Sequence, residues 1–164
     1  MHLRIATAED SDTVSRVLAA SYGKLMATAY PPDLLARTLP TIGRANPELL
    51  ESGLYYLVEV QGGEAAGCGG WSRNPPGGRE ADPASGHIRH FATHPDWTRC
   101  GVGRMLYERC AADARAAGLT RFEAWASLNG ESFYAALGFR RLGPIETQMP
   151  GEILFPAVRM ERGI

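Results

Sequence analysis

The densest chemical signal in the chain is Thr93-His94-Pro95-Asp96-Trp97-Thr98-Arg99-Cys100-Gly101-Val102-Gly103-Arg104. A strand pattern (Gly86 to Ala92) leads into it, and an amphipathic helix pattern (Arg104 to Ala117) leads out. The first N–H groups of a helix have no partner within it, and the aligned peptide dipoles add partial positive charge there. A strand, a glycine loop and a helix start therefore make a site for phosphate. Gly101 and Gly103 lack side chains, so an anion can approach the main chain, while Arg99 and Arg104 add full charge. Read alone, the same loop also serves as a plain strand-to-helix turn. It lacks the Gly-Lys-Ser/Thr that a P-loop kinase requires.

The elements that position this loop follow from pattern. Leu3 to Ala6 reads as a first strand, followed by a helix with Val14, Val17 and Leu18 at helical spacing. That helix continues toward Ala29 until Pro31-Pro32. Asp33 is the expected cap of a second helix through Leu39, and Asn46-Pro47 begins a short helical turn. Leu54 to Val60 and Ala65 to Ser72 form a hairpin about Gly62-Gly63. Asn74 to Ser85 is an exposed loop. Arg121 to Ser127 alternates, with Phe122, Ala124 and Ala126 on one face and Glu123 and Trp125 on the other. Gly130 to Leu137 is a short helix ended by Gly138. Phe139 to Leu142 and Leu154 to Met160 are closing strands, with Gly143 to Gly151 as the loop between them. Helices between the later strands imply an α/β fold with a mixed, partly parallel sheet covered by helices.

The chain has 164 residues, which suits a single domain spanning 1–164. A net charge of −1 gives no support for nonspecific binding to nucleic acid or to an anionic membrane. Cys68, Cys100 and Cys110 fit neither a disulfide framework nor a zinc site, so reduced thiols in a cytoplasmic protein and no metal are expected. Met1 to Ile5 opens no long apolar run, so neither a signal peptide nor a membrane span is expected.

Three ordered patterns resemble the GNAT N-acetyltransferases. One is the loop Thr98-Arg99-Cys100-Gly101-Val102-Gly103, set against the family's Gln/Arg-x-x-Gly-x-Gly/Ala. A second is the strand ending in His94-Pro95-Asp96. The third is Phe133-Tyr134-Ala135-Ala136-Leu137-Gly138-Phe139, similar to the family's F-Y-x-x-x-G-F. The resemblance covers nearly the whole chain and is specific from Gly86 to Phe139. It implies a twisted sheet of about seven strands flanked by about four helices. Thr98 departs from the family's Gln/Arg, and Ser127 occupies the position of a frequent Asn, with Asn129 two residues on.

The resemblance implies acetyl-CoA as the acetyl-donor cosubstrate, lying between splayed fourth and fifth strands. Carried over, Thr98, Arg99, Cys100, Gly101, Val102, Gly103 and Arg104 surround the diphosphate. Phe91, Ala92 and Thr93 offer main-chain groups to the pantetheine arm, joined by Ser127 or Asn129 and by Phe133. An N–H near Ala92 stabilises the oxyanion, and Tyr134 protonates the leaving thiolate. Counting back from Thr98 puts the general base at His87, whose imidazole titrates near ~6.5 when unperturbed. His90 lies on the opposite face by simple alternation, and a bulge would change that parity. Glu123 and water are further options.

The implied acceptor is a primary amine of a small molecule or a peptide. Its walls come from Tyr22 to Thr38 and Pro144 to Ile153, with Tyr30, Asp33, Trp71, Glu146 and Glu152 as candidates; the carboxylates fit solvated surface equally, and Trp71 and Trp125 read as packing residues that can also line the cleft. The same scaffold also serves noncatalytic acyl-CoA binding, and a homodimer through the last strands is left open.

Overall fold

The computed structural model describes residues Met1–Ile164. Seven strands form one sheet: β1 (His2–Ile5), β2 (Tyr55–Glu59), β3 (Ala65–Ser72), β4 (Ser85–Thr93), β5 (Arg121–Ser127), β6 (Arg140–Met149) and β7 (Ile153–Gly163). Their spatial order is β1-β2-β3-β4-β5-β7-β6. Every neighbouring pair is antiparallel except β4–β5. Parallel neighbours cannot be joined by a hairpin, and α4 (Val102–Ala116) lies in the crossover. The other helices are α1 (Ser11–Leu25), α2 (Pro32–Ile42), α3 (Pro47–Glu51) and α5 (Glu131–Ala136). The helix beyond the expected four is α3. The Asn46 side chain accepts from Glu48 N–H at 2.9 Å, and Pro47 suits the first helical position.

The helices cover both faces. On β2, Tyr55 and Leu57 meet Val14, Val17 and Leu18 of α1. Tyr56 and Val58 meet Val102, Leu106 and Cys110 of α4 on the opposite face. A strand buried on both faces must be apolar throughout, as β2 is. On β5 the predicted alternation holds, with Phe122, Ala124 and Ala126 buried beneath α4.

Three boundaries differ from expectation. Asp33 does not cap α2, because Pro31 occupies that position and Pro32, with its preset φ, begins the helix. That helix also continues past Leu39 to Ile42 with Pro40 inside it. The segment from Gly143, read as a loop, is strand through Met149 and pairs with β7 down to Met149↔Ile153. An edge strand tolerates Pro144 because one side of it has no ladder to supply.

The pairing of β3 with β4 contains one irregularity. Cys68 pairs with Ala92 but Gly70 pairs with Arg89, so β4 carries one residue more than β3. His90 sits in this bulge with φ 48°, the left-handed region. Gly69 lies opposite, where an added Cβ would run into the Phe91 ring. Gly69→Ala is expected to destabilise the protein by about 1–3 kcal/mol, because the ring has to move within a packed layer. Thermal or urea unfolding checks this, and unchanged stability would contradict it.

Candidate active site

β4 and β5 share three residue pairs, the last being His87↔Glu123. Beyond that pair the strands part, and a cavity of about 760 Å³ opens between them. Its walls include β4 from Ile88 to Thr93, Trp125 and Ser127 of β5, Asn129, and Phe133 and Tyr134 of α5. The start of α4 forms one end.

Main-chain groups on the parting strand must find partners other than β5. Tyr55 donates its hydroxyl to the His90 carbonyl at 2.8 Å, and Tyr22 donates to the Phe91 carbonyl at 3.2 Å. Burial raises both phenols well above their ordinary pKa, so both remain donors. His94 N–H donates to the Ala66 carbonyl at 2.8 Å. Antiparallel ladders alternate between bonded and non-bonded pairs. That alternation turns the main-chain groups of Ala92 toward β3 and those of Phe91 and Thr93 toward the cavity.

The glycine loop meets the cavity at the start of α4. Arg99 and Gly101 take positive φ, 64° and 85°, and Gly101 occupies the helix cap position with no side-chain cap. No acidic residue lies in the first turn of α4. The leading N–H groups therefore lack any anionic side chain of the protein's own, as a phosphate-binding helix start requires. Arg99, Gly101, Val102, Gly103 and Arg104 line the cavity, while Cys100, exposed on the loop, does not. The two glycines serve different ends. A Cβ at Gly101 would meet only open space, whereas one at Gly103 would sit 2.7 Å from the Phe133 ring. Thr98 lines the cavity, but its hydroxyl is spent on the Pro95 carbonyl at 3.1 Å.

Tyr134 is buried, with its ring packed against Phe139 and Phe133 at centroid distances of 5.3 and 5.0 Å. Its hydroxyl has no partner in the chain, and burial raises its pKa above the ordinary value. Ser127 and Asn129 both reach the cavity, and the Asn129 side-chain oxygen is buried without a partner.

The histidines separate. His90 lines the cavity by virtue of the bulge, and burial holds its pKa down to about 4, with the Arg89 charge adding to the effect. His87 lies in the paired segment and lines a second cavity of about 130 Å³ instead. It is buried there with Nδ1 unpartnered, and burial lowers its pKa although Glu123 acts the other way. Glu123 lines the same small cavity, where it accepts from Arg159 at 2.6 and 3.1 Å and from Trp125 Nε1 at 2.9 Å. Burial raises its pKa, but these bonds outweigh that and hold it below the ordinary value.

Both segments expected as acceptor walls reach the cavity, but the side chains named within them do not. Trp71 is buried in the core beside Phe122, and Tyr30 is buried bridging Pro156 and Leu128. Asp33, Glu146 and Glu152 are exposed, and none of these five residues lines the cavity. Its walls on this side are Tyr22, Leu25 and Met26 from the first expected segment, Thr147 and Met149 from the second, and Phe155, with Arg89 on β4. Arg89 shares the His87 face of β4 by alternation, and nothing in the sequence marked it as a cavity residue.

The family model described as Acetyltransferase (GNAT) family matches residues 21–139, well over half of the chain. The chain belongs to the GNAT acetyltransferase family. Solved GNAT structures share its fold at low identity. A GCN5-related N-acetyltransferase from Rhodopseudomonas palustris superposes with TM-score 0.78 at 20% identity, covering 99% of this chain and 95% of that one. The PaiA N-acetyltransferase of Thermoplasma acidophilum, in complex with coenzyme A, gives 0.72 at 16% over 99% and 98%. The ribosomal-protein-S18-alanine N-acetyltransferase of Escherichia coli gives 0.64 at 15% over 99% and 93%. No protein of curated function matches this GNAT chain in sequence. No helix of it is long and apolar enough to cross a membrane.

The depressed pKa of His90 has a consequence for stability. The unfolded chain takes up this proton near the ordinary 6.5, the folded one only near about 4. Stability from this residue is therefore fully present above the higher value and lost as pH falls toward the lower. Thermal unfolding across that window is expected to show a falling Tm, with a shallower fall in His90→Asn, which tolerates the left-handed backbone. An identical slope in the variant would contradict the assignment.

Proposed function

We propose that the chain, folded as a single domain, transfers the acetyl group of acetyl-CoA to a primary amine by direct attack within a ternary complex. The acceptor amine belongs to a small molecule or a peptide. One observation carries this reading: β4 and β5 part directly beside an uncapped helix start with no acidic side chain in its first turn. Several solved relatives of this fold are named as N-acetyltransferases, and one of them holds coenzyme A.

In this reading Arg99, Arg104 and the amides of Gly101 to Arg104 hold the diphosphate. Thr98 and Cys100 contribute through the main chain of the loop, since the Thr98 hydroxyl is already bonded and Cys100 faces away. The pantetheine arm runs past Phe133 along Phe91 and Thr93, and the unpartnered Asn129 oxygen is better suited to its amides than Ser127. Phe91 N–H takes over the oxyanion role expected near Ala92, because the hydroxyl of Tyr22 ties back the Phe91 carbonyl.

No aspartate or glutamate lines the cavity, so an ammonium ion finds no counter-charge there. Desolvation then favours the neutral, nucleophilic amine. His90, already neutral, is the ring best set to pass the amine proton to solvent; His87 faces away into the smaller cavity. Tyr134 stays protonated because of its raised pKa and donates to the departing thiolate.

Calorimetric titration with acetyl-CoA and thiol release with an amine panel test this reading. Tyr134→Phe is expected to lower kcat by about 10²-fold while acetyl-CoA affinity is kept. Normal turnover in that variant would remove Tyr134 from the mechanism. Because His90 is neutral across the neutral range, kcat/KM is expected to keep rising with pH until the acceptor amine itself is deprotonated. A separate limb near the ordinary histidine value would contradict this assignment.

A further inference from the structure

The cavity carries charge of one sign only. Its ionisable side chains other than His90 and the two tyrosines are Arg89, Arg99 and Arg104. Arg99 and Arg104 belong to the glycine loop. Arg89 stands at the opposite end of the unpaired β4 segment, two residues past the last β4–β5 pair. Its chemistry is incomplete. The guanidinium is half-buried, donates one bond to Ser72 Oγ at 3.0 Å and forms no salt bridge. Glu48 acts on it electrostatically without pairing, and burial lowers its pKa. A guanidinium is a planar fork of donors matched to a carboxylate. Leaving such a cation half-desolvated and unpaired is unfavourable unless a ligand anion meets it.

The surfaces beside it are apolar. Leu25 and Met26 from the end of α1, Met149 of β6, Phe155 of β7 and Trp125 of β5 line the same cavity. Met26 and Phe155 are themselves part of a small hydrophobic cluster, with Met149 packed against it. An apolar body with an anionic group fits this surface, and a polycation does not.

Resting on the acetyl transfer proposed above, we infer that the acceptor is an amino acid with an apolar side chain. Arg89 holds its carboxylate, and Met26, Met149 and Phe155 hold its side chain. The amine nitrogen forms a bond to the thioester carbonyl carbon while the carbon–sulfur bond breaks. The amine proton leaves to solvent, the thiolate takes one from Tyr134, Tyr134 regains a proton from solvent, and the products are an N-acetyl amino acid and free CoA thiol.

The test compares L-methionine, L-leucine and L-phenylalanine with their decarboxylated amines and with spermidine, read by thiol release. In the wild-type protein, kcat/KM for the amino acids is expected to exceed that for the decarboxylated amines by about tenfold or more, the range of a hydrogen-bonded charge. Spermidine is expected to be a poor acceptor. Arg89→Gln should remove most of that ratio, chiefly through KM of the amino acid, and Arg89→Lys should restore part of it. Equal or reversed preference in the wild type, or an unchanged ratio in Arg89→Gln, overturns the inference. Acetyl-CoA titration of the same samples separates the two readings. Binding with acetylation of the amines but not the acids overturns only the amino-acid inference, whereas absence of acetyl-CoA binding overturns both.

Discussion

A parallel strand pair that ends after three residues leaves main-chain groups without partners in the middle of a sheet. Such groups must be satisfied, since a buried peptide group without a hydrogen bond costs about as much as a lost bond. Here the solution is split. The hydroxyls of Tyr22 and Tyr55 take the carbonyls of Phe91 and His90 from one side. The amides of Phe91 and Thr93, turned toward the cavity, are in the proposed reading left for whatever enters it. The bulge at His90 makes this division, because the extra residue re-aims the strand just where its neighbour departs. The strained backbone at His90 is therefore held by the buried Tyr55, and its neighbour Phe91 by the half-buried Tyr22 of a different element.

The second constraint is electrostatic. The cavity is lined by arginines at both ends and by no carboxylate. At one end stand the positive helix start and two arginines, which the proposed reading assigns to the phosphates of a nucleotide thioester. Between the ends, His90, whose pKa is lowered, and Tyr134, whose pKa is raised, line the cavity with no carboxylate beside them. In the proposed reading this absence of negative charge has two uses: it keeps one end attractive to a diphosphate, and it favours an incoming amine in its unprotonated form. Acidic residues are not scarce in the chain. Glu123 lies close by, but it is bonded to Arg159 and Trp125 and faces the separate small cavity.

How much of this was legible in the sequence depended on whether a pattern or an orientation was needed. Arg121 to Ser127 alternates strictly, and the strand appears with those bounds. The glycine loop was legible because two glycines one residue apart have few uses at a helix start. Even so, Gly103 owes its smallness partly to the Phe133 ring, which no local pattern reveals. The edge strand β6 was misread because Gly143 and Pro144 are turn residues wherever both sides of a strand must pair. The two histidines exchanged places relative to the cavity for a related reason. Alternation alone sets His87 and His90 on opposite faces, but His87 is kept from the opening because it lies where β4 and β5 still pair, while the bulge, a tertiary match between β3 and β4, re-aims His90. Acidic side chains proposed as acceptor walls proved to be solvent-facing, since charge in a sequence says nothing of direction.

The claim on which the rest depends is that the amides of the parting strand and the glycine loop grip one ligand together. Residue-resolved hydrogen exchange, with and without acetyl-CoA, tests it most directly. The account predicts new protection at the amides of Phe91, Thr93 and Gly101 to Arg104, with little change along β1 and β2, which lie outside the cavity. Binding that left the exchange of these amides unaltered, or that protected only a distant surface, would contradict it.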